Sequence, residues 1–157
     1  MAPPYPGSCL CGRVRFQLIA DPLTFYVCHC TDCQRRTGGA ALPVMWVVRS
    51  DLQIVSGQPT LQIFDLGNGR QRCSRLCSHC DTRLWAEPMD KPDIAILRPG
   101  TLQNQGEFEP IAHLYTRSKL PWFFIPQDVA KFENQPDEAG ELIRLWQQKN
   151  SLKNSAK

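Results

Sequence analysis

The chain has no apolar run close to the roughly twenty residues that a membrane-spanning helix needs. Its start, MAPPYPGSC, lacks the charged and apolar segments of a secretion signal. The 18 basic and 15 acidic residues give a formal charge of +3, and the basic residues are scattered instead of massed as in nucleic-acid-binding proteins. We therefore expect a cytoplasmic protein with neither a membrane nor a nucleic acid as partner.

Helical periodicity is scarce as well, because strand patterns dominate the first 130 residues and 13 prolines and 10 glycines interrupt them. In GRVRFQLIA, residues 12–20, apolar and polar side chains alternate with the period of a half-buried strand. Similar segments are LTFYVC, ALPVMWVV, LQIV, TLQIFDL, RQRCSRLC, TRLWAE, DIAILRPG and IAHLYT. The Gly-Asn-Gly sequence at residues 67–69 predicts a hairpin turn.

One helix is predicted near the C-terminus. Asp137 follows Pro136 as a helix N-cap, and one apolar face is formed by Leu142, Ile143, Leu145 and Trp146. The sequence shows no internal repeat, linker or second core. We therefore predict a mainly β fold with a single domain over residues 1–136, followed by a C-terminal helix and a frayed polar tail over residues 137–157.

Eight cysteines need a chemical explanation, since a chain of 157 residues can bury roughly two thirds of its unfolded surface without cross-links. Cytosolic thiols are kept reduced, so clustered ones are better explained as metal ligands than as disulfides. Seven of the eight fall in the short-spaced groups CLC, CHCTDC and CSHC. CLC with CSHC supplies four sulfurs, as in structural zinc sites, from Cys9, Cys11, Cys77 and Cys80. CHCTDC supplies three, as in catalytic zinc sites with an open fourth position, from Cys28, Cys30 and Cys33.

Three other interpretations of CHCTDC remain open. An iron–sulfur cluster normally needs four cysteines in other spacings. A redox disulfide between Cys30 and Cys33 would use the C-x-x-C spacing, although no thioredoxin-like helix pattern follows it. The third is a closed structural zinc site whose fourth ligand is Cys73 or a histidine; alternatively, Cys73 is an ordinary buried small residue.

The order of GSCLCGRVRF, CHCTDCQRRTGG, CSHCDTRLW, LRPGTL and HLYTRSKLPW resembles the glutathione-dependent formaldehyde-activating enzyme family, which includes centromere protein V. The resemblance covers roughly residues 7 to 135. It implies several coiled antiparallel β-sheets bound by zinc, as in Rab-exchange zinc chaperones. It also implies a structural zinc bound by Cys9, Cys11, Cys77 and Cys80, and a catalytic zinc bound by Cys28, Cys30 and Cys33. Asp81 stands where the family commonly has glycine, and aspartate tolerates the left-handed backbone conformation that the turn would need.

The family resemblance implies a carbon–sulfur lyase that joins glutathione and formaldehyde to S-(hydroxymethyl)glutathione. We expect that reaction, or one with a related small aldehyde, with two zinc ions as cofactors and glutathione as substrate. Arg35 and Arg36 could bind glutathione carboxylates through their guanidinium groups, or be solvated. His113 could transfer protons, or be a buried structural histidine. Trp122 could form a substrate platform, but it is expected in the core. The alternative function is a non-enzymatic zinc-binding protein-interaction module.

Overall fold

The structure is a computed structural model that describes residues 2–67 and 69–155. Its strands are β1 Tyr5–Ser8, β2 Arg15–Leu18, β3 Thr24–Cys28, β4 Leu42–Val48, β5 Leu52–Ser56, β6 Thr60–Asp65, β7 Gln71–Leu76, β8 Arg83–Glu87, β9 Ile94–Leu97, β10 Ala112–Leu114 and β11 Ala130–Phe132. Its helices are α1 Thr31–Thr37 and α2 Ala139–Ser155. The predicted mainly β class with a C-terminal helix is confirmed. Within the described residues, no helix has the length and apolar character needed to cross a bilayer.

The first of two compact units contains the chain up to Pro22 and Met45–Glu107. It has a three-stranded antiparallel sheet in the order β1-β2-β5. The second half of β4 and then β9, β8, β7 and β6 pair in that order, also antiparallel. The alternation predicted for β2 is confirmed, because Phe16 and Leu18 are buried while Arg15 is exposed. Phe16 packs edge-to-face on Trp85, with ring centroids 5.8 Å apart, in the core of this unit.

The second unit contains Leu23–Val44 and the chain from Phe108 onward. Strand β10 lies parallel to both β3 and β11, so the expectation of antiparallel sheets alone is wrong here. Parallel neighbours require a long connection, and residues 29–111 separate β3 from β10. All five residues of β3 are buried, and the Thr24 hydroxyl donates a 3.1 Å hydrogen bond to the Leu142 carbonyl of α2.

Helix α1 was not predicted from the sequence, although it has ordinary helix boundaries. The Cys30 thiol caps its start by accepting a 3.4 Å hydrogen bond from the Cys33 amide. Gly38 ends it in the left-handed conformation, with φ of 67°, and donates to the Gln34 carbonyl. The last two cysteines of CHCTDC, Cys30 and Cys33, are therefore joined by a helical turn.

The remaining local predictions have mixed outcomes. Strands β6 and β7 are antiparallel, as the predicted hairpin requires, while Asn68 of its turn lies outside the described residues. Helix α2 begins at Ala139, two residues after the predicted N-cap, Asp137. It continues to Ser155, so most of SLKNSAK is helical where a frayed tail was expected, and residues 156–157 lie outside the described part. The domain boundary after residue 136 stays a prediction.

Candidate functional site

The seven cysteines of the three short motifs form two groups. Within each group, the sulfur atoms all lie within 4.8 Å of one another. The four-cysteine cluster, in the first unit, contains Cys9, Cys11, Cys77 and Cys80. The three-cysteine cluster, in the second unit, contains Cys28, Cys30 and Cys33. Spacing therefore predicted which cysteines lie together, and both groups could hold a metal ion; their roles as structural and catalytic zinc ligands stay predictions.

The four-cysteine cluster has the size of a tetrahedral zinc site. Zinc bound to four thiolates at about 2.3 Å places neighbouring sulfurs about 3.8 Å apart. The Sγ atoms of Cys9 and Cys11 are 3.5 Å apart, and those of Cys11 and Cys77 are 3.8 Å apart. The donor set and spacing of this cluster therefore fit zinc.

Two tight turns present these four thiols. In the first turn, the Gly12 amide donates to the Cys9 carbonyl at 3.0 Å and the Val14 amide donates to the Cys9 sulfur at 3.3 Å. In the second, the Asp81 amide donates to the Cys77 carbonyl at 2.9 Å. Asp81 has φ of 55°, which confirms that aspartate occupies a left-handed position here.

Thr82 links the two turns, a role that the sequence analysis did not identify. Its hydroxyl accepts a 3.1 Å hydrogen bond from the Leu10 amide and lies 3.2 Å from the Cys80 sulfur. The bond to Thr82 is the main reason that the pKa of Cys80 is lowered to about 5. Burial raises the pKa of Cys9, but the hydrogen bond from the Val14 amide lowers it, and the net pKa is below the ordinary value. Part of this cluster is thus prepared for the thiolate form that metals bind.

The three-cysteine cluster is assembled from the end of β3 and the start of α1. Cys28 is buried, while Cys30 and Cys33 are half-buried. A hydrogen bond with the Cys33 thiol, followed by burial, raises the pKa of Cys28, and burial raises that of Cys30. These thiols would be largely protonated without a cation, and a bound metal ion would hold them as thiolates. The donor set fits zinc with three sulfur ligands.

Cys73 does not join either cluster among the described residues. It is half-buried in β7 and pairs with Glu87 of β8. The closed site in which Cys73 completes the three-cysteine cluster is therefore not the arrangement observed.

A buried histidine pair adjoins the three-cysteine cluster. His29 lies between two of its cysteines and is 0% exposed, and its Nε2 is 2.8 Å from Nδ1 of His113. The pKa of both imidazoles is lowered, mainly because they are buried. The pKa of His113 is lowered to about 4. Both rings are therefore neutral at pH 7, and one N–H lies between them. His113 is thus buried and hydrogen-bonded. This position suits a structural histidine, which was the alternative to a role in proton transfer.

The segment after β10 lies beside the cluster through contacts that the sequence did not reveal. Gln34 donates to the carbonyl of His29 at 2.9 Å and to that of Ser118 at 2.8 Å. The Ser118 hydroxyl donates to the His29 carbonyl at 3.1 Å. Burial and then the neighbouring cysteines raise the pKa of Tyr115. Only a fold places residues 115–118 against residues 28–34, so no local signal could have found them.

The arginines that follow the cluster differ from each other. Arg35 is exposed in the last turn of α1. Arg36 is half-buried, and its Nε has no hydrogen-bond partner among the described residues. Trp122 is 72% exposed, so its expected place in the core is wrong. The proline and aromatic residues of LPWFFIP leave it at the surface while Phe123 turns inward against His29.

The fold and these clusters define a mainly β protein with two candidate metal centres. A profile of the family described as "Glutathione-dependent formaldehyde-activating enzyme" matches residues 4–118. The chain belongs to this family.

Two known proteins are similar to it. A Halomonas elongata protein named "Putative glutathione-dependent formaldehyde-activating enzyme" is 27% identical over 143 residues, which cover 85% of this chain and 89% of that protein. A crystal structure of a Rhodobacter sphaeroides protein is 20% identical with a TM-score of 0.50, and the match covers 67% of this chain and 96% of that one. The second likeness concerns the fold alone.

Proposed function

We propose that the three-cysteine cluster binds zinc and catalyses addition of a thiol to a small aldehyde, most simply of glutathione to formaldehyde. The product is S-(hydroxymethyl)glutathione, and the reaction class is carbon–sulfur lyase. The observation that carries the proposal is a set of three thiols, within 4.8 Å of one another, to which the described residues add no fourth cysteine. Family membership supports glutathione and formaldehyde as the reactants.

The three cysteine sulfurs would hold the metal at the junction of β3 and α1. A bound zinc ion would supply the charge that keeps a thiol ionised at neutral pH or polarises a carbonyl oxygen. The Cys33 amide donates to the Cys30 sulfur and so favours its thiolate. Gln34 and Ser118 hold the His29 carbonyl, which fixes the backbone between Cys28 and Cys30. These contacts keep the three sulfurs converged on one point.

Arg36 is our candidate for a glutathione carboxylate. Its Nε is buried without a described hydrogen-bond partner, and a guanidinium group binds carboxylates in a two-pronged geometry. Arg35 is exposed and would contribute long-range attraction to the anionic substrate.

The four-cysteine cluster would hold a second, structural zinc in the first unit. Its ligands come from turns that are 66 residues apart between Cys11 and Cys77. Binding there would fasten two distant segments of the chain, and the binding energy would add directly to the stability of the fold.

Catalysis can be tested by NMR exchange spectroscopy between free formaldehyde and its glutathione adduct. Zinc-loaded protein should raise the exchange rate above the uncatalysed rate. Cys30→Ser should remove this increase, whereas Cys73→Ser, which alters a cysteine outside both clusters, should keep it. Equal exchange rates with and without the unmodified protein would refute the proposed catalysis.

The open coordination position can be tested separately by zinc K-edge X-ray absorption on protein that holds two zinc ions. Added glutathione should raise the mean number of sulfur neighbours, and Cys28→Ser should remove that increase. Four sulfurs at both metals before glutathione is added would favour the alternative, a zinc-binding protein-interaction module.

A further inference from the structure

A groove of about 430 Å³ lies in the second unit, along the segment that follows β10. Its walls include Trp122, Phe123, Phe124, Lys119 and Lys131. The groove thus combines an aromatic surface with two cationic side chains.

Phe123 connects this groove with the three-cysteine cluster. Its ring packs edge-to-face on His29, with centroids 4.8 Å apart, and on His113 at 6.0 Å. His29 is the residue between Cys28 and Cys30. Lys131 lies opposite His113 in the register of β11 and β10. The groove therefore shares a wall with the histidine pair that adjoins the candidate zinc site.

The aromatic side chains of the groove are unusually exposed. Trp122 is 72% exposed and Phe124 is 79% exposed, although large aromatic side chains are mostly buried in folded proteins. Exposed aromatic residues beside a pocket are typical of ligand-binding surfaces. Formaldehyde has a single carbon and offers no surface for them to contact.

The two lysines of the groove carry positive charge. Lys119 Nζ donates to the carbonyls of Leu120 and Phe123, both at 2.9 Å, which leaves its third proton for another acceptor. Lys131 Nζ is 3.5 Å from the Gln127 carbonyl, at the limit of a hydrogen bond. Neither lysine belongs to an ion pair among the described residues. An anion with an apolar body matches this combination.

We propose that the groove binds an aromatic carboxylate, and that the aldehyde partner of the thiol at the neighbouring site is a carboxylate-bearing aromatic aldehyde. This inference rests on the proposed function and names its substrate class. The S–H bond and the π bond of the carbonyl group would break, the thiol sulfur would form a bond to the carbonyl carbon, and the proton would end on the oxygen as a hydroxyl group. The product is a hemithioacetal, and nothing is oxidised or reduced.

Binding can be measured by titration calorimetry on the full, zinc-loaded chain. The probe is 4-(hydroxymethyl)benzoate, an unreactive analogue of 4-carboxybenzaldehyde. It should bind, and benzyl alcohol, which lacks the carboxylate, should bind about tenfold more weakly. Equal binding of the two probes, or no binding of the benzoate, would overturn the proposal.

Variants should locate the bound probe. Lys131→Gln should weaken binding about fivefold, the scale of a solvent-exposed charge pair. Trp122→Ala should weaken it by a similar or larger factor, since it removes an aromatic contact. The matched controls are Lys149→Gln, which changes a lysine of α2 paired with Glu109, and Met89→Ala, which removes a 65% exposed apolar side chain of the first unit. Control variants that weaken binding as much as the groove variants would overturn the assignment.

Glutathione and the two aldehydes separate this inference from the proposed function. We expect glutathione not to displace the benzoate, and 4-carboxybenzaldehyde to show a higher kcat/KM than formaldehyde. Displacement by glutathione would make the groove the thiol subsite and overturn the inference. Catalysis with formaldehyde, without binding of the benzoate, would overturn the inference and leave the proposed function standing. Binding of the benzoate without catalysis of either aldehyde would instead overturn the proposed reaction and the assignment of the groove to its aldehyde.

Discussion

The two cysteine clusters use the same side chain in different settings. The four-cysteine cluster joins two turns far apart in sequence, and there the pKa of Cys80 is lowered to about 5 while that of Cys11 is raised to about 11. The three-cysteine cluster comes from one segment of six residues, and the pKa values of Cys28 and Cys30 are raised. Under the proposed function, the four-cysteine cluster would stabilise the fold, while the three-cysteine cluster would keep one metal position open for chemistry. The number and origin of the ligands therefore distinguish the two centres.

The residues that surround the two clusters also differ. The Thr82 hydroxyl and the Val14 amide contact sulfur atoms of the four-cysteine cluster. The three-cysteine cluster instead adjoins the buried His29–His113 pair and the segment that contains Ser118. Substitutions at each cluster should accordingly affect different properties.

The largest effect should come from removing a ligand of the four-cysteine cluster. Structural zinc can supply about 10–16 kcal/mol to folding, which is as large as the whole stability of about 5–15 kcal/mol of an ordinary domain. Cys9→Ser should therefore prevent folding, and so should Cys80→Ser. Circular dichroism melts and zinc analysis test this expectation, and a variant that keeps a cooperative melt with wild-type Tm would contradict the structural role.

The corresponding change in the three-cysteine cluster should affect catalysis and spare the fold. In Cys30→Ser, the serine oxygen can still cap α1. We expect catalysis to fall at least about 100-fold, more than the loss from altering a residue behind a metal ligand, while Tm changes by only a few degrees. Parallel melts and exchange rates would show this, with Cys73→Ser as the control. If Cys30→Ser and Cys9→Ser both unfold, the two clusters do not differ in role.

Graded chelation should separate the metals without mutation. A site with three thiolates has one ligand fewer than a site with four, so its metal should leave first. One equivalent of zinc and all catalysis should be lost while far-UV circular dichroism stays constant. Simultaneous loss of both metals and of secondary structure would contradict the different roles proposed for the two clusters.

The sequence predicted the membership of both clusters because metal-binding spacing is a local property. It also predicted the positions of most strands, β2 through alternation and others through strand-prone residues, and the left-handed turn at Asp81. The end signals of α1 are present in the sequence as well, with arginines in the last turn and Gly38 after it. The segment CHCTDCQRRTGG therefore carries signals for a helix as well as for metal ligands.

What the sequence could not predict depends on long-range pairing. The parallel register of β10 against β3 places His113 opposite Val27, and this brings the two histidines together. Residues 84 positions apart have no local pattern that announces such contact. The exposure of Trp122 is also set by packing, since the composition of LPWFFIP suits a core equally well.

The histidine pair offers a smaller test on the side of the three-cysteine cluster. His113→Ala leaves buried Nε2 of His29 without its partner, which should cost about 1–3 kcal/mol, with a further loss from the cavity. Urea denaturation measures this change. His79 is exposed, so His79→Ala should change stability by less than about 0.5 kcal/mol. Similar losses in both variants would show that the pair adds nothing specific.

The smallest effect concerns Thr82, at the four-cysteine cluster. Thr82→Val keeps the shape of the side chain but removes the acceptor of the Leu10 amide and the group that lowers the pKa of Cys80. We expect a loss of about 1 kcal/mol in the free energy of unfolding, with both zinc ions retained because all seven sulfurs remain. Thr60→Val, at an exposed position of β6, is the matched control. Because Thr82 lies in the first unit, formaldehyde exchange should be unchanged in Thr82→Val; a slower exchange in a fully folded variant would show that the two centres are coupled and would weaken the division between a structural cluster and a catalytic one.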